Sequence, residues 1–145
     1  MENFALEGGY CTVSLFGLGR HWDLHSFARL ARFAYEPARR AAFLEWIAPP
    51  MANAWGDPAN RAKGCRLVFD NVGFLRVGMG EPGLASPDES MLADVSKVVP
   101  GEGAYRWKDR WGEQDPFRLL FRFESGRTIE VESESVRLEP VEEPD

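Results

Sequence analysis

Both histidines of the chain fall within one short segment, His21-Trp22-Asp23-Leu24-His25. On a strand, His21, Asp23 and His25 would share one face, and on a helix the two histidines would be neighbours four residues apart. Two imidazoles and a carboxylate suit a divalent transition metal, so the spacing indicates a candidate metal or acid–base site. The competing interpretation is a surface turn, in which Asp23 caps the residues that follow and Trp22 packs inward. No further cluster of metal-binding residues lies nearby in sequence, which favours the turn, and we expect no cofactor.

Aromatic and basic residues alternate between positions 105 and 111. Tyr105, Trp107 and Trp111 could stack on a sugar ring or on the bases of a single-stranded nucleic acid. The alternative is that the tryptophans anchor the core while the neighbouring cations stay solvated. The net charge of −6 lacks the basic footprint of a nucleic-acid binder, so we expect no nucleic-acid partner. The segment therefore predicts, as a second hypothesis, a small-molecule or carbohydrate site.

The acidity of the chain is concentrated at its C-terminal end. Residues 130–145 contain seven acidic residues and one basic residue, which together account for the whole net charge of −6. Glu130, Glu132 and Glu134 alternate along a predicted strand, so their carboxylates share one face. Such a face commonly discourages edge pairing, and it can also bind a basic protein through charge complementarity. We predict a partner-binding surface at these three residues.

No established catalytic motif is present. The segment Gly78-Met79-Gly80-Glu81-Pro82-Gly83 has the spacing of a dinucleotide fingerprint. Pro82 and the anionic Glu81 suit a pyrophosphate poorly, and the next cap signal comes three residues too late. A glycine-rich connecting loop is the better interpretation, and we name no catalytic residue.

Composition predicts one domain. The chain has 145 residues, 44% of them hydrophobic, which suffices for a packed core without disulfides or metals. We assign residues 1–139 to a single β-rich domain and residues 140–145 to an acidic tail. Cys11 and Cys65 lie in apolar strand-like runs, as buried thiols do in a reducing compartment. No apolar run approaches membrane-spanning length, so we expect a cytoplasmic protein that does not bind a membrane.

Alternating apolar residues predict strands over 10–16 and 65–77, and a C-terminal hairpin around Ser125-Gly126. The alternation changes parity near Ser133–Ser135, which predicts a β-bulge or a bend there. Ser86-Pro87-Asp88-Glu89 has the form of a capping box, and Leu92 and Val95 would continue an apolar stripe. These signals predict one short helix over 87–97.

Residues 24–48 allow two interpretations. The alanine and arginine content favours helices, whereas the aromatic alternation around Phe33 and Tyr35 favours a hairpin that turns at Pro37.

Three segments resemble small β-rich bacterial proteins of uncharacterised families, some of them immunity proteins of polymorphic toxin systems. The segments are Trp22-Asp23-Leu24-His25-Ser26, Arg66 to Val72, and Phe121 to Gly126 with the following Ile129-Glu130-Val131 and Ser135-Val136. The resemblance covers about half of the chain and carries over no catalytic residue. It implies that residues 28–47 form a hairpin and that the protein binds rather than catalyses.

The predicted fold class is therefore α+β, mainly an antiparallel β-sheet or sandwich of six to eight strands with one short helix near 87–97. The leading functional hypothesis is a bacterial interaction protein, and more specifically an immunity-type inhibitor that uses its acidic C-terminal face. The alternatives are the ligand-binding domain at Tyr105, Trp107 and Trp111 and a metal-dependent enzyme at His21, Asp23 and His25. A homodimer formed through an uncovered sheet face or edge is a further hypothesis.

Overall fold

The computed structural model describes residues 1–8, 11–49, 54–80, 90–101, 106, 108 and 110–142, and in these ranges ten antiparallel strands form two sheets. The small sheet has the order β1-β3-β4, and the large sheet has the order β2-β8-β9-β10-β7-β6-β5 and curls into a half-barrel. A 3₁₀ turn spans Ala54–Gly56. The strands are β1 Phe4–Leu6, β2 Cys11–Thr12, β3 Ser14–Gly17, β4 Arg20–Asp23, β5 Arg29–Glu36, β6 Ala41–Ile47, β7 Gly64–Gly78, β8 Leu92–Val98, β9 Arg118–Phe123 and β10 Thr128–Val141.

The long strands β7 and β10 pair along their whole length and form the centre of the large sheet. Their register shifts between Glu132 and Ser133, beside the predicted position, but the extra residue is Gly73 on β7 and not a residue of β10. Asn71 lies on the opposite strand beside the shift with a φ of 52°, a left-handed conformation that asparagine tolerates better than most residues. Strand β10 continues to Val141, so residues 140 and 141 pair within the sheet.

Two hairpins follow the predicted pattern. Strands β5 and β6 pair from Arg29–Ile47 to Glu36–Ala41, which confirms the hairpin interpretation of residues 28–47. Strands β9 and β10 pair around the predicted turn, where Gly126 has a φ of 87° that a residue with a side chain rarely adopts.

The predicted helix over 87–97 is wrong for the part that the structure describes. Residues 92–97 belong to strand β8, while residues 87–89 lie outside the described residues. The register of β8 against β9 shifts between Leu92 and Asp94, so Leu92 pairs with Phe123 and Val95 with Phe121. Because of this bulge, Leu92 and Val95 lie on the same face of the sheet although they are three residues apart, and three residues is also the spacing of an apolar helical stripe.

Buried apolar side chains from both sheets form one cluster, so the chain is a single β-rich domain. The N-terminal segment lies along β10, because the Asn3 amide both donates to and accepts from the backbone of Leu138. In the described ranges, no helix has the length and apolar character needed to cross a membrane. The largest buried side chains include Leu15, Trp22, Trp46, Trp55, Phe69 and Phe121.

Candidate functional site

The segment that contains both histidines is part of strand β4 up to Asp23 and forms a turn from Leu24 onward. Asp23 Oδ1 accepts hydrogen bonds from the backbone N–H groups of His25 at 3.0 Å and Ser26 at 2.8 Å. Trp22 is fully buried beside it. His25 Nδ1 lies 2.6 Å from the carbonyl oxygen of Leu92, so this ring serves the contact between the turn and β8. Asp23 thus holds a backbone turn together.

His21 makes a separate set of contacts. Its Nδ1 contacts Glu7 Oε1, and its backbone N–H donates to Asp57 Oδ2 at 2.9 Å. The ring also packs edge-on against Phe16, with 5.0 Å between the ring centroids. Among the described residues, no group of three histidines, cysteines or acids could hold a metal ion, so His21, Asp23 and His25 are not brought together as one centre.

Trp111 packs within a cluster of aromatic rings and ammonium groups. Its ring lies edge-to-face with Phe117 at 6.1 Å, and the Nζ atoms of Lys97 and Lys108 lie 5.9 and 5.1 Å from its centroid. Burial lowers the pKa of Lys97. The ring surface of Trp111 is therefore already in contact with side chains of the chain itself. Two predicted stacking residues lie outside the described residues: Tyr105 and Trp107.

The first two residues of the predicted acidic face are neutralised by arginines from neighbouring strands. Glu130 is 3% exposed and lies 2.8 Å from Arg76 Nη2 on β7 and 3.5 Å from Arg118 Nη1 on β9. Glu132 Oε2 accepts a hydrogen bond from Arg118 Nε at 2.8 Å. These two carboxylates are therefore members of an ion-pair network within the sheet.

Glu134 lies in a different environment. It is exposed, and its carboxylate accepts a hydrogen bond from the neutral Asn71 amide at 2.8 Å. It borders a small groove of about 190 Å³ together with Glu113 and Phe117. Among the residues that the structure describes, Glu134 is thus the one of the three predicted residues that forms no ion pair.

A larger groove lies on the outer face of strands β6, β7 and β10, around Phe43. Its volume is about 340 Å³. Cross-strand pairing sets its geometry, because Val68 on β7 lies opposite both Phe43 on β6 and Arg137 on β10. The groove is lined by Glu36, Arg39, Ala41, Ala42, Phe43, Arg66, Val68, Asp70, Arg137 and Glu139.

The charges around this Phe43 groove are held in place by ion pairs. Arg66 Nε donates to Glu45 Oε2 at 2.8 Å, and Glu45 is only 5% exposed. The Arg66 and Arg32 guanidinium groups lie 5.0 and 5.2 Å from the centroid of the Phe43 ring. The buried Glu45 carboxylate therefore fixes the Arg66 guanidinium over the Phe43 ring, whereas Arg32 is only loosely paired with Glu45 at 4.0 Å.

A second group of ion pairs, centred on Arg137 of β10, lines another part of the Phe43 groove. Arg137 Nη1 pairs with Asp70, and its Nε donates to Glu139 Oε1 at 2.9 Å. Sequence reasoning missed this groove, although the period of two along β7 places the charged Arg66 and Asp70 on the same face as Val68. The signal is incomplete in one strand because β6, β10, the end of β5 with Glu36 and the β5–β6 turn with Arg39 supply the other residues of the groove.

Comparisons with protein-family models, with curated proteins and with solved structures find no match to this chain.

Proposed function

We propose that this chain is a binding protein whose partner is another protein, and that the partner docks on the Phe43 groove. The observation that carries the proposal is a preformed groove with an aromatic floor and fixed charges of both signs. Electrostatic complementarity of this kind provides specificity and orients an approaching partner.

The ion pairs favour recognition because they reduce the cost of ordering the surface on binding. The buried carboxylate of Glu45 holds Arg66 against Phe43, and Arg137 is held between Asp70 and Glu139. Side chains that are already fixed lose less conformational entropy when a partner binds.

The pattern of charges favours a protein over a small ligand. Opposite charges alternate across three strands, with Glu45, Arg66 and Glu139 in one cross-strand row. A partner surface with the inverse pattern would meet the accessible groups Arg66 and Glu139 together, while the buried Glu45 holds Arg66 from beneath; a small ligand would meet fewer of the groups that line the groove. The C-terminal strand thus contributes to the proposed surface through Arg137 and Glu139.

The more specific role that we propose, an immunity-type inhibitor, rests on the sequence resemblance. An inhibitor of this kind acts by binding one protein partner and requires no catalytic residue. Glu134 is the residue of the predicted acidic face that forms no ion pair among the described residues. It marks a second surface on which a basic partner would dock.

The test is capture of a partner from a lysate of the source cells by four immobilised proteins. These are the wild type, Val68→Lys in the groove, Glu134→Lys at the acidic surface, and Val77→Lys as a control. Val77 is 42% exposed on the same strand as Val68 and lies outside the Phe43 groove. Thermal unfolding of each variant checks that it is folded.

We expect one stoichiometric partner with the wild type, Val77→Lys and Glu134→Lys, and its loss with Val68→Lys. Capture should weaken between about 50 and about 500 mM salt, because exposed charge interactions are screened. Loss with Glu134→Lys but not with Val68→Lys would assign the partner to the acidic surface instead. Equal capture by all four proteins, or no partner at low salt, would contradict the proposal.

A further inference from the structure

Strand β5 forms one edge of the large sheet and pairs with β6 on its other side. On the outer edge, the Leu30 N–H donates to the carbonyl oxygen of Ser90 at 3.0 Å. From position 31 to 36, no strand among the described residues pairs with this edge. An edge of this kind presents unpaired backbone groups to any strand that can align with it.

The regular part of this edge is short and has a defined centre. The register of β5 against β6 shifts between Leu30 and Arg32, so uninterrupted pairing runs from Arg32 to Glu36. Ala34 is the middle residue of that stretch. A strand added to the edge would therefore pair over Arg32–Glu36.

We propose that the occupant is a second copy of this chain, paired antiparallel through β5 about a two-fold axis at Ala34. In a symmetric antiparallel pair, the alternation of hydrogen-bonded and non-hydrogen-bonded positions requires one residue to lie opposite itself. With Ala34 at the axis, Arg32 lies opposite Glu36 of the second copy. Phe33 then lies opposite Tyr35 of the second copy, and symmetry repeats both pairs.

The neighbouring registers are less complementary. An axis at Arg32 places two guanidinium groups directly opposite each other, and like charges in that position are destabilising. An axis at Phe33 places Arg32 opposite Ala34 and Glu36 opposite Leu30, so no ion pair forms. An axis at Tyr35 places Glu36 opposite Ala34 and again pairs no charges. The Ala34 register therefore pairs both charges and both aromatic residues.

These side chains are available in the single chain. The side chains of Arg32 and Glu36 are 57% and 53% exposed, and Tyr35 is 38% exposed. Their ion pairs within the chain are long, at 4.0 Å from Arg32 to Glu45 and 3.6 Å from Glu36 to Arg39. The Glu36–Arg39 pair is exposed and contributes little. Arg32 also lies over the Phe43 ring at 5.2 Å, but its pair with the buried Glu45 is long and more than half of its side chain is open to a cross-strand partner.

The strand pair is short, so the expected dimer is weak. Cross-strand pairs contribute modestly, and the association must also overcome the lost freedom of two molecules. We expect a dissociation constant of about 10 to 500 µM, which is measurable by sedimentation equilibrium. Glu36 belongs to this edge and also lines the Phe43 groove, but the dimer requires no other partner and is measured on the purified chain alone.

The decisive experiment uses two complementary charge reversals. Arg32→Glu alone places two carboxylates opposite each other, and Glu36→Arg alone places two guanidinium groups opposite each other. An equimolar mixture of the two variants restores an opposite charge at both positions. Arg61→Glu and Glu142→Arg are matched controls, because both residues are exposed and lie outside β5.

We expect each β5 variant alone to dimerise at least about tenfold more weakly than the wild type, and the mixture to form a heterodimer near wild-type affinity. The controls should dimerise as the wild type does. A wild type that stays monomeric at about 1 mM would overturn the proposal, and so would a mixture that associates no better than its components. Dimerisation that survives both single reversals would place the interface elsewhere. A failure of the proposed function remains distinguishable, because Val68→Lys leaves β5 unchanged.

Discussion

The buried ion-pair network of Glu130 gives the sharpest prediction about stability. Glu130→Gln keeps the shape of the side chain but removes its charge, while Arg76 and Arg118 remain in place. Removing one member of a buried ion pair costs about 3 to 5 kcal/mol, because the other charge is left without compensation. Two features of the structure reduce this figure here.

The first feature is that Arg76 is 44% exposed, so water can solvate it once Glu130 is neutral. The second is that Arg118 retains its hydrogen bond to Glu132. We therefore expect Glu130→Gln to lower the free energy of unfolding by about 2 kcal/mol, below the full cost of a broken buried pair. At this chain length, the melting temperature should fall by about 4 to 8 °C.

Urea denaturation and thermal unfolding measure this loss, with Glu134→Gln as the matched control. Glu134 is exposed and bonded to a neutral amide, so its variant should stay within about 0.5 kcal/mol of the wild type. The loss at Glu130 should persist at about 1 M salt, because buried pairs are screened much less than exposed ones. A Glu130→Gln protein within about 0.5 kcal/mol of the wild type would refute the assignment of Glu130 to a stabilising buried network.

This result also decides how binding experiments on the acidic residues are interpreted. Glu130→Lys would place a third cation beside two guanidinium groups in a site that is 3% exposed. That substitution should cost more than Glu130→Gln, about 3 to 5 kcal/mol, because it adds like-charge repulsion to the loss of the pair. A loss of binding in a variant that includes Glu130→Lys would then reflect unfolding, whereas Glu134→Lys tests the surface itself.

Three further predictions follow from local geometry. Gly64→Ala should lower the free energy of unfolding, measured by urea denaturation, by about 1 to 3 kcal/mol, because the new Cβ would lie 2.5 Å from the Trp46 carbonyl oxygen. Gly73→Ala is the control: its Cβ meets no atom within 4 Å, and the free energy of unfolding should change by less than about 0.5 kcal/mol. Hydrogen bonds from the backbone N–H groups of His21 and Ala59 lower the pKa of Asp57 in the folded protein. Its ionised carboxylate therefore stabilises the fold at pH values above the pKa of Asp57 in the unfolded chain. This contribution is lost as the pH falls through the lower pKa of the folded protein. Asp57→Ala should therefore reduce the fall in melting temperature between about pH 5 and about pH 2, and an unchanged pH profile would contradict this role. Burial raises the pKa of the Cys65 thiol, so peptide mapping after alkylation at about pH 8 should find Cys65 modified only in denaturant; modification in the native protein would contradict its burial.

The hairpins could be predicted from sequence because their signals are local. Alternating apolar residues and a glycine turn define β9 and β10, and the same kind of alternation defines β5 and β6. The helix over 87–97 could not be rejected in this way. A bulge in β8 gives Leu92 and Val95 the spacing of a helical stripe, and only the pairing with β9 distinguishes the two structures.

The Phe43 groove was not predictable from one strand at a time. Phe43, Val68 and Arg137 are far apart in sequence and become neighbours through the register of three strands. The sequence of β7 indicates that Arg66 and Asp70 share a face, but it does not indicate which charges lie opposite them. The residues of this groove therefore depend on strand order, which sequence alone leaves open.

The position of β10 in the sheet explains why a strongly acidic segment does not form a uniformly acidic surface. Strand β10 lies between β9 and β7, and each neighbour supplies one arginine to Glu130. Pairing with β9 ends at Val131, so Glu134 has a strand neighbour on β7 alone and is bonded there by Asn71. Among the described residues, the carboxylate without an ion pair is thus found where β10 loses one of its two strand neighbours, and partner binding through the acidic face should depend on Glu134 far more than on Glu130 or Glu132.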